Sequence, residues 1–208
     1  MFDVNTAEIA KIGNSRVHAF CGSVTNIANI DIVVTSENTD LSTASTTSTS
    51  VSGRIRDMAA ERSATGEIVT DHINEFMQNW KNANQKFSNF PLGTCVICDD
   101  AFRAADHGVK TIIFAVGIRK NFDGTSTIEA AAISNIVKIA IDTAVNKDQR
   151  TVFIPVFGLG SGNTPTRAAI KYTVDAVKSK LTNTAVSVDV YIGVYRLNDL
   201  VELCMRIK

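Results

Sequence analysis

The chain has 208 residues, the length of a single domain. Its 21 Lys and Arg balance 21 Asp and Glu, so no overall field selects nucleic acid or an anionic membrane surface as partner. Hydrophobic residues make up 45% of the chain, enough for a substantial core, yet no apolar run is long enough to cross a bilayer.

The first eight residues carry no cationic stretch followed by an apolar one, so the expectation is a cytoplasmic chain without a signal peptide. Residues 1–15 are an N-terminal extension in which Ile9 and Ile12 have the spacing of a short helix. Residues 16–21 read as the first strand, 22–25 as a turn, and 31–36 as a short, apolar, interior strand. A Ser/Thr-rich loop follows over 39–52, densest at 41–50. Its composition makes it mobile unless a ligand or neighbour orders it. Two readings stand for it, a plain surface connection and a flap beside a site.

A helix is predicted over 50–59, with Val51, Ile55, Met58 and Ala59 on one face. A second is predicted over 71–87, with Ile73, Phe76, Met77, Trp80, Asn84 and Phe87 at helical spacing. Residues 93–99 read as a strand, 100–105 as a short helical turn, 111–117 as an interior strand and 129–146 as a long helix. Cys95 and Cys98 have the spacing of a metal or redox pair, but residues three apart on a strand face opposite sides. Buried free thiols are the better reading, and no metal site is expected.

Residues 151–157 form a run apolar on both faces, as in a strand covered on both sides. Gly158, Gly160 and Gly162 follow. Asn163 or Thr164 then offers an N-cap, with Pro165 at the first helical position. The helix so started carries Ile170, Val174, Val177 and Leu181 on one face. Residues 186–195 read as a last strand and 197–207 as a closing helix. A strand, glycine loop and helix start in that order present unpaired amides and partial positive charge, which suits a phosphate. The alternative is a tight turn that binds nothing.

Strands alternating with helices predict one domain over residues 1–208. Its fold class is α/β, a three-layer α/β/α sandwich with a mixed, largely parallel central sheet. Ligands of such sheets sit outside the carboxyl ends of the strands. The candidate loops there are 36–52, 158–164 and the segment after Tyr195.

At this point the order of motifs resembles the macro domain family, which binds ADP-ribose. Gly22, Ser23, Val24 and Thr25 look like the family's first turn. Residues 32–38 look like its second element, with Asn38 at the final asparagine. Residues 50–55 look like the loop entering the first long helix, 114–117 like the fourth-strand ending, and 154–162 like the second phosphate loop. There are departures. Ser23 stands where an aspartate would bond adenine, and Thr35 where the first asparagine would be. Of the first glycine-rich loop only Gly53 survives. Ser52 stands where some hydrolytic members carry an acid.

The resemblance implies a diphosphate held between two loops of backbone amides. One is formed by Ser50, Val51, Ser52 and Gly53. The other is formed by Phe157, Gly158, Leu159, Gly160, Ser161, Gly162 and Asn163. Ser23 and Val24 would line the adenine pocket. Asn38 either bonds the distal ribose or caps the turn after its strand. Tyr195 either stacks on adenine or is a half-exposed tyrosine at a strand end. The implied partner is a small-molecule nucleotide or an ADP-ribosylated macromolecule, with no cofactor besides that ligand. Two functions compete. One is a module that binds or senses ADP-ribose or another NAD-derived nucleotide. The other is a hydrolase that removes ADP-ribose from a protein, nucleic acid or metabolite. Hydrolysis needs a group to position or activate water. Glu37 and Asp57 are the weak catalytic candidates, with Asp40 beside them, and each also reads as a solvated surface charge.

Overall fold

A computed structural model describes residues 6–159 and 165–208. Its strands and helices follow one another in chain order. β1 (Thr6–Ile12) and β2 (Ser15–Cys21) form a hairpin. β3 (Ile32–Glu37) precedes helix α1 (Val51–Ala59). A small hairpin of β4 (Glu61–Arg62) and β5 (Ile68–Thr70) leads to α2 (His72–Asn84). Next come β6 (Cys95–Cys98) and β7 (Thr111–Val116), then a second small hairpin, β8 (Arg119–Lys120) with β9 (Ser126–Thr127). The chain ends with α3 (Ala130–Asn146), β10 (Thr151–Pro155), α4 (Thr166–Thr182), β11 (Asp189–Val194) and α5 (Leu197–Ile207).

The main sheet has seven strands in the order β1-β2-β11-β10-β3-β7-β6. The five inner strands run parallel, and β1 and β6 pair antiparallel at the two edges. Helices cover both faces, so the mixed, largely parallel three-layer sandwich is the observed architecture. Val34, Ile113, Val152, Ile154 and Ile192 enter one core together with α3 and α4, through Ile133, Val137, Ile170 and Val177. Val33, Ile112, Phe114 and Phe153 enter the other, under Ile55 of α1 and Ile73 and Met77 of α2. Alternate residues of each inner strand thus serve opposite cores, which is why these strands read as continuous apolar runs. Cys95 and Cys98 obey the same rule. Cys95 packs beside the first core and Cys98 lies buried in the second. Burial pushes the Cys95 thiol up to about 12 and that of Cys98 up to about 11.

Three expectations need correction. Residues 6–12 form a strand rather than a helix. A bulge between Glu8 and Ala10 shifts the register against β2. Ile9 and Ile12 therefore reach the same core from a strand, despite a spacing of three that imitates a helical turn. Helix α2 stops at Asn84, because Gln85 adopts a left-handed conformation with φ 49°. Phe87 consequently lies beyond the helix and is exposed. Pro165 stands at the N-cap of α4 rather than inside it.

A close approach explains one glycine. An added Cβ at Gly193 of β11 would lie 2.3 Å from Cζ of Phe153 on the neighbouring strand. Gly193→Ala therefore overpacks the sheet. It should lower unfolding free energy by about 1–3 kcal/mol, read from the denaturant midpoint. Combined with Phe153→Leu, the total loss should be smaller than the sum of the two single losses.

Candidate functional site

Parallel pairing fixes one rim. Cys21 of β2 lies opposite Val194 of β11, Pro155 of β10 opposite Gly193, and Glu37 of β3 opposite Val116 of β7. The segments leaving β2, β3, β10, β11 and β7 therefore emerge on the same side. These segments carry Ser23, Asn38, Gly158 and Tyr195.

At the exit of β2, Gly22 N donates to Val194 O at 3.1 Å. Ser23 then caps a short 3-10 turn over Val24–Asn26. Its Oγ accepts from Thr25 N at 3.3 Å and lies 2.8 Å from Thr25 Oγ1. Val24 is buried. At the exit of β11, Tyr195 is 67% exposed, so its ring is open to solvent.

The exit of β3 is the most heavily bonded. Glu37 is only 2% exposed. Its Oε1 accepts from Thr35 Oγ1 at 2.7 Å and its Oε2 from Ser52 Oγ at 3.0 Å. Ser52 Oγ in turn accepts from Ala44 N at 3.0 Å. One carboxyl group thus ties the end of β3 to the first turn of α1, and through it to the Ser/Thr-rich segment. Burial pushes this carboxyl up to about 7, against the pull of the Thr35 and Ser52 hydroxyls. Glu37 is therefore not a solvated surface charge.

The first half of the Ser/Thr-rich segment, residues 39–44, is held by the rest of the protein. Arg56 of α1 donates to Thr43 O at 3.3 Å and Ala44 O at 3.1 Å. The same guanidinium pairs with Asp71, the N-cap of α2, at 2.6 Å. Lys81 Nζ donates to Asp40 O at 2.7 Å, and Phe90 N donates to Thr39 O at 2.7 Å. Leu41 is buried in the α1/α2 core. The neighbour that orders this segment is the protein itself.

Asn38 does what its capping reading requires. Its Oδ1 accepts from Asp40 N at 3.0 Å and Ser42 N at 3.4 Å. Ser50 caps α1, accepting from Gly53 N at 3.2 Å. A Cβ at Gly53 would stand 2.4 Å from Ser45 O. The close approach that Gly53 permits is taken up by the chain's own backbone. Val51 and Ser52 open the helix, where amides have no intrahelical acceptor. Val51 packs against the α1/α2 core.

At the exit of β10, Val156 N donates to Gly193 O at 3.0 Å. Phe157 is fully buried, and its Cδ1 would lie 2.2 Å from a Cβ at Gly117. Gly158 has φ +85°, a conformation that glycine adopts without strain. Leu159 packs against the α3/α4 core. Gly160, Ser161, Gly162, Asn163 and Thr164 lie outside the described residues.

Asp57 is not part of this rim. It pairs with Arg62 near the far end of α1. There it lines a cavity of about 570 Å³ together with Met58, Glu61, Arg103 and His107. Arg56 and Lys81 were absent from the residues singled out by sequence. Their acceptors are 12 to 41 positions away, and no local pattern marks them.

No family model and no curated protein sequence matches this chain. Solved structures do. The Oceanobacillus iheyensis macrodomain with ADP superposes with a TM-score of 0.77 at 16% identity, covering 97% of this chain and 94% of that one. The Trypanosoma brucei macrodomain in complex with ADP-ribose superposes with a TM-score of 0.66 at 12% identity, covering 92% of this chain and 69% of that one. The fold is that of the macrodomains.

The raised Glu37 carboxyl sets a pH dependence. Its folded pKa lies above its ordinary 4.5, so between pH 4.5 and 7 the folded state binds more protons than the unfolded state. Stability from this group is present at low pH and is lost as pH rises through about 7. Denaturant midpoints should fall from pH 5 to pH 8 in the parent protein, with a loss on the order of 3 kcal/mol. Glu37→Gln, which cannot ionise, should flatten that part of the profile.

Proposed function

We propose that this chain binds ADP-ribose or a related NAD-derived nucleotide at the carboxyl rim of its sheet and acts as a binding or sensing module. The reading rests on one juxtaposition. The first turn of α1, bonded through Ser52 to Glu37 at the exit of β3, and the positive-φ turn at Gly158 after β10 stand at the exits of neighbouring parallel strands on one rim. The amides of Val51 and Ser52 face this rim from the first turn of α1, where Gly53 N is already held by Ser50 Oγ, and at Gly158 a glycine lets the backbone approach closely. The nucleotides in the two macrodomain structures that share this fold support the choice of ligand. In this reading Ser50, Val51, Ser52 and Gly53 form one side of the diphosphate site. Phe157, Gly158 and Leu159 begin the other, which Gly160, Ser161, Gly162 and Asn163 continue. Ser23 and Val24 line the adenine end, with the open ring of Tyr195 stacking on the base. Asn38 shapes the ribose end through the turn it caps.

A binder is favoured over a hydrolase by the position of Glu37. Its two carboxylate oxygens are occupied by Thr35 and Ser52, and the Ser/Thr-rich segment is bonded over it. A general base must reach a water beside the substrate. A second reading, as a hydrolase, draws on the carboxyl being pushed up to about 7, where it exchanges protons at neutral pH. It requires the bond from Ala44 N to Ser52 Oγ to open during turnover.

Calorimetry with ADP-ribose tests the binding premise. Heat should saturate well below about 1 mM, and absence of heat there, where only about 4 kcal/mol of affinity would suffice, would reject it. Gly158→Ala should weaken binding by about tenfold, because a side-chain-bearing residue relaxes out of the left-handed region and returning it there on binding costs roughly 1–2 kcal/mol. Incubation with ADP-ribosylated protein or nucleic acid should release no ADP-ribose. Release that disappears in Glu37→Gln would replace the sensor with the hydrolase.

A further inference from the structure

Three acidic side chains are buried among the described residues, and two of them are accounted for. Glu37 accepts from the Thr35 and Ser52 hydroxyls. Asp189 accepts from Arg16 Nε at 3.2 Å and pairs with Nη2 of the same guanidinium at 2.5 Å. The third, Asp199 of α5, is 6% exposed, and among the described residues no hydrogen bond or ion pair reaches its carboxylate. Burying a carboxylate without a donor costs free energy.

Its place is the carboxyl rim. Helix α5 begins three residues after Val194 ends β11, and Asp199 lies in its first turn. Asp199, Leu203 and Ile207 recur at intervals of four and are all buried, so they share the face turned to the sheet. Leu203 and Ile207 enter the α3/α4 core, and Asp199 stands one turn nearer the rim. Side chains of a helix lean toward its N-terminus, so this carboxylate leans out of the core toward the rim. There it meets the exit of β2, on which α5 packs. The thiol of Cys21, the last residue of β2, is pushed above its ordinary value by burial and, after that, by the negative charge of Asp199. Gly22 N, bonded to Val194 O, closes the same corner. Ser23 follows Cys21 by two positions and Tyr195 precedes Asp199 by four, and these are the residues of the proposed adenine end.

The helix dipole attracts an acid to this turn, but the exposed positions 197 and 198 would serve that attraction without burial. The Ser23 hydroxyl, the nearest polar side chain in sequence, is engaged with Thr25. The carboxylate is thus left to a donor that the described chain does not supply. An ionised carboxylate accepts and cannot donate. It suits the exocyclic amino group of adenine and repels the carbonyl oxygen that hypoxanthine carries at the same ring position. The Tyr195 ring and Ser23 put the base, not the sugar, at this corner. We propose that Asp199 accepts from the amino group of the bound base and so selects adenine over a 6-oxo purine. This rests on the nucleotide reading above.

Calorimetry with ADP-ribose and with inosine diphosphate ribose, in which a carbonyl replaces the amino group, tests it on the full chain. The parent should bind the adenine compound at least about tenfold more tightly. Asp199→Asn keeps the shape of the side chain and presents a donor as well as an acceptor. It should weaken ADP-ribose binding by about tenfold and bring the two ligands within a few-fold of each other. Asp199→Ala should weaken ADP-ribose binding similarly and leave the inosine compound unweakened. Circular dichroism checks that each variant is folded, and the parent's own preference decides the matter if one is not. A parent that binds both ligands equally overturns the proposal. Equal weakening of both ligands by Asp199→Asn does so too, because it places the carboxylate on the ribose or diphosphate they share. No binding of ADP-ribose by the parent at about 1 mM removes the nucleotide reading and this proposal with it. ADP-ribose binding without the preference removes this proposal alone.

Discussion

The structure around the rim depends on one buried carboxyl group. Glu37 ends β3, accepts from Thr35 within its own strand and from Ser52 of α1, and through Ser52 holds Ala44 of the intervening segment. Three pieces of chain that would otherwise meet only at van der Waals distance are joined by directional bonds in a low-dielectric interior. Such bonds specify a single arrangement because the alternative is an unpaired buried polar group. The hydroxyls at positions 35 and 52 are therefore parts of the frame. In the family resemblance these were departures, an asparagine and an acid replaced by Thr35 and Ser52. Together they form a bonded cluster around a carboxyl that the chain supplies from Glu37.

The two cores explain why this frame can be rigid. The strands of the parallel sheet send alternate residues into opposite layers, with Val33 and Ile112 meeting α1 and α2 and Val34 and Ile113 meeting α3. Helix α1 is thus held by Ile55 below while its first turn remains at the rim. Arg56, one residue on, points out of that core to bridge Asp71 and the carbonyls of Thr43 and Ala44. Packing fixes the helix, and the helix fixes the segment.

Much of this was legible in the sequence, and the remainder has physical reasons for being hidden. The interior strands announced themselves as unbroken apolar runs, and α3 and α4 by the spacing of Ile133, Val137, Ile170 and Val174. Ser50 as an N-cap and Gly158 as a turn glycine follow from local chemistry and are found where expected. β1 was misread because its bulge puts Ile9 and Ile12 on one side at a helical spacing. Composition identified residues 41–50 as a loop and could not identify it as a fixed one. What fixes it is a guanidinium from α1 and an ammonium from α2.

An ordered rim changes what a ligand must supply. A loop that closes only on binding loses conformational entropy at that moment, and the loss is subtracted from the affinity. Here the segment over β3 is bonded by groups that lie outside the proposed site. Lys81 holds the Asp40 carbonyl and Arg56 the Thr43 and Ala44 carbonyls, so none of these bonds has to be exchanged in the proposed binding of a diphosphate. The same preorganisation opposes hydrolysis at Glu37, because uncovering the carboxyl means breaking the bond from Ala44 N to Ser52 Oγ and exposing a group whose surroundings favour its protonated form. Under the proposed function, one network would thus lower the entropic cost of holding a nucleotide and raise the cost of acting on it. That asymmetry is the physical basis for reading the rim as a receptor before a catalyst.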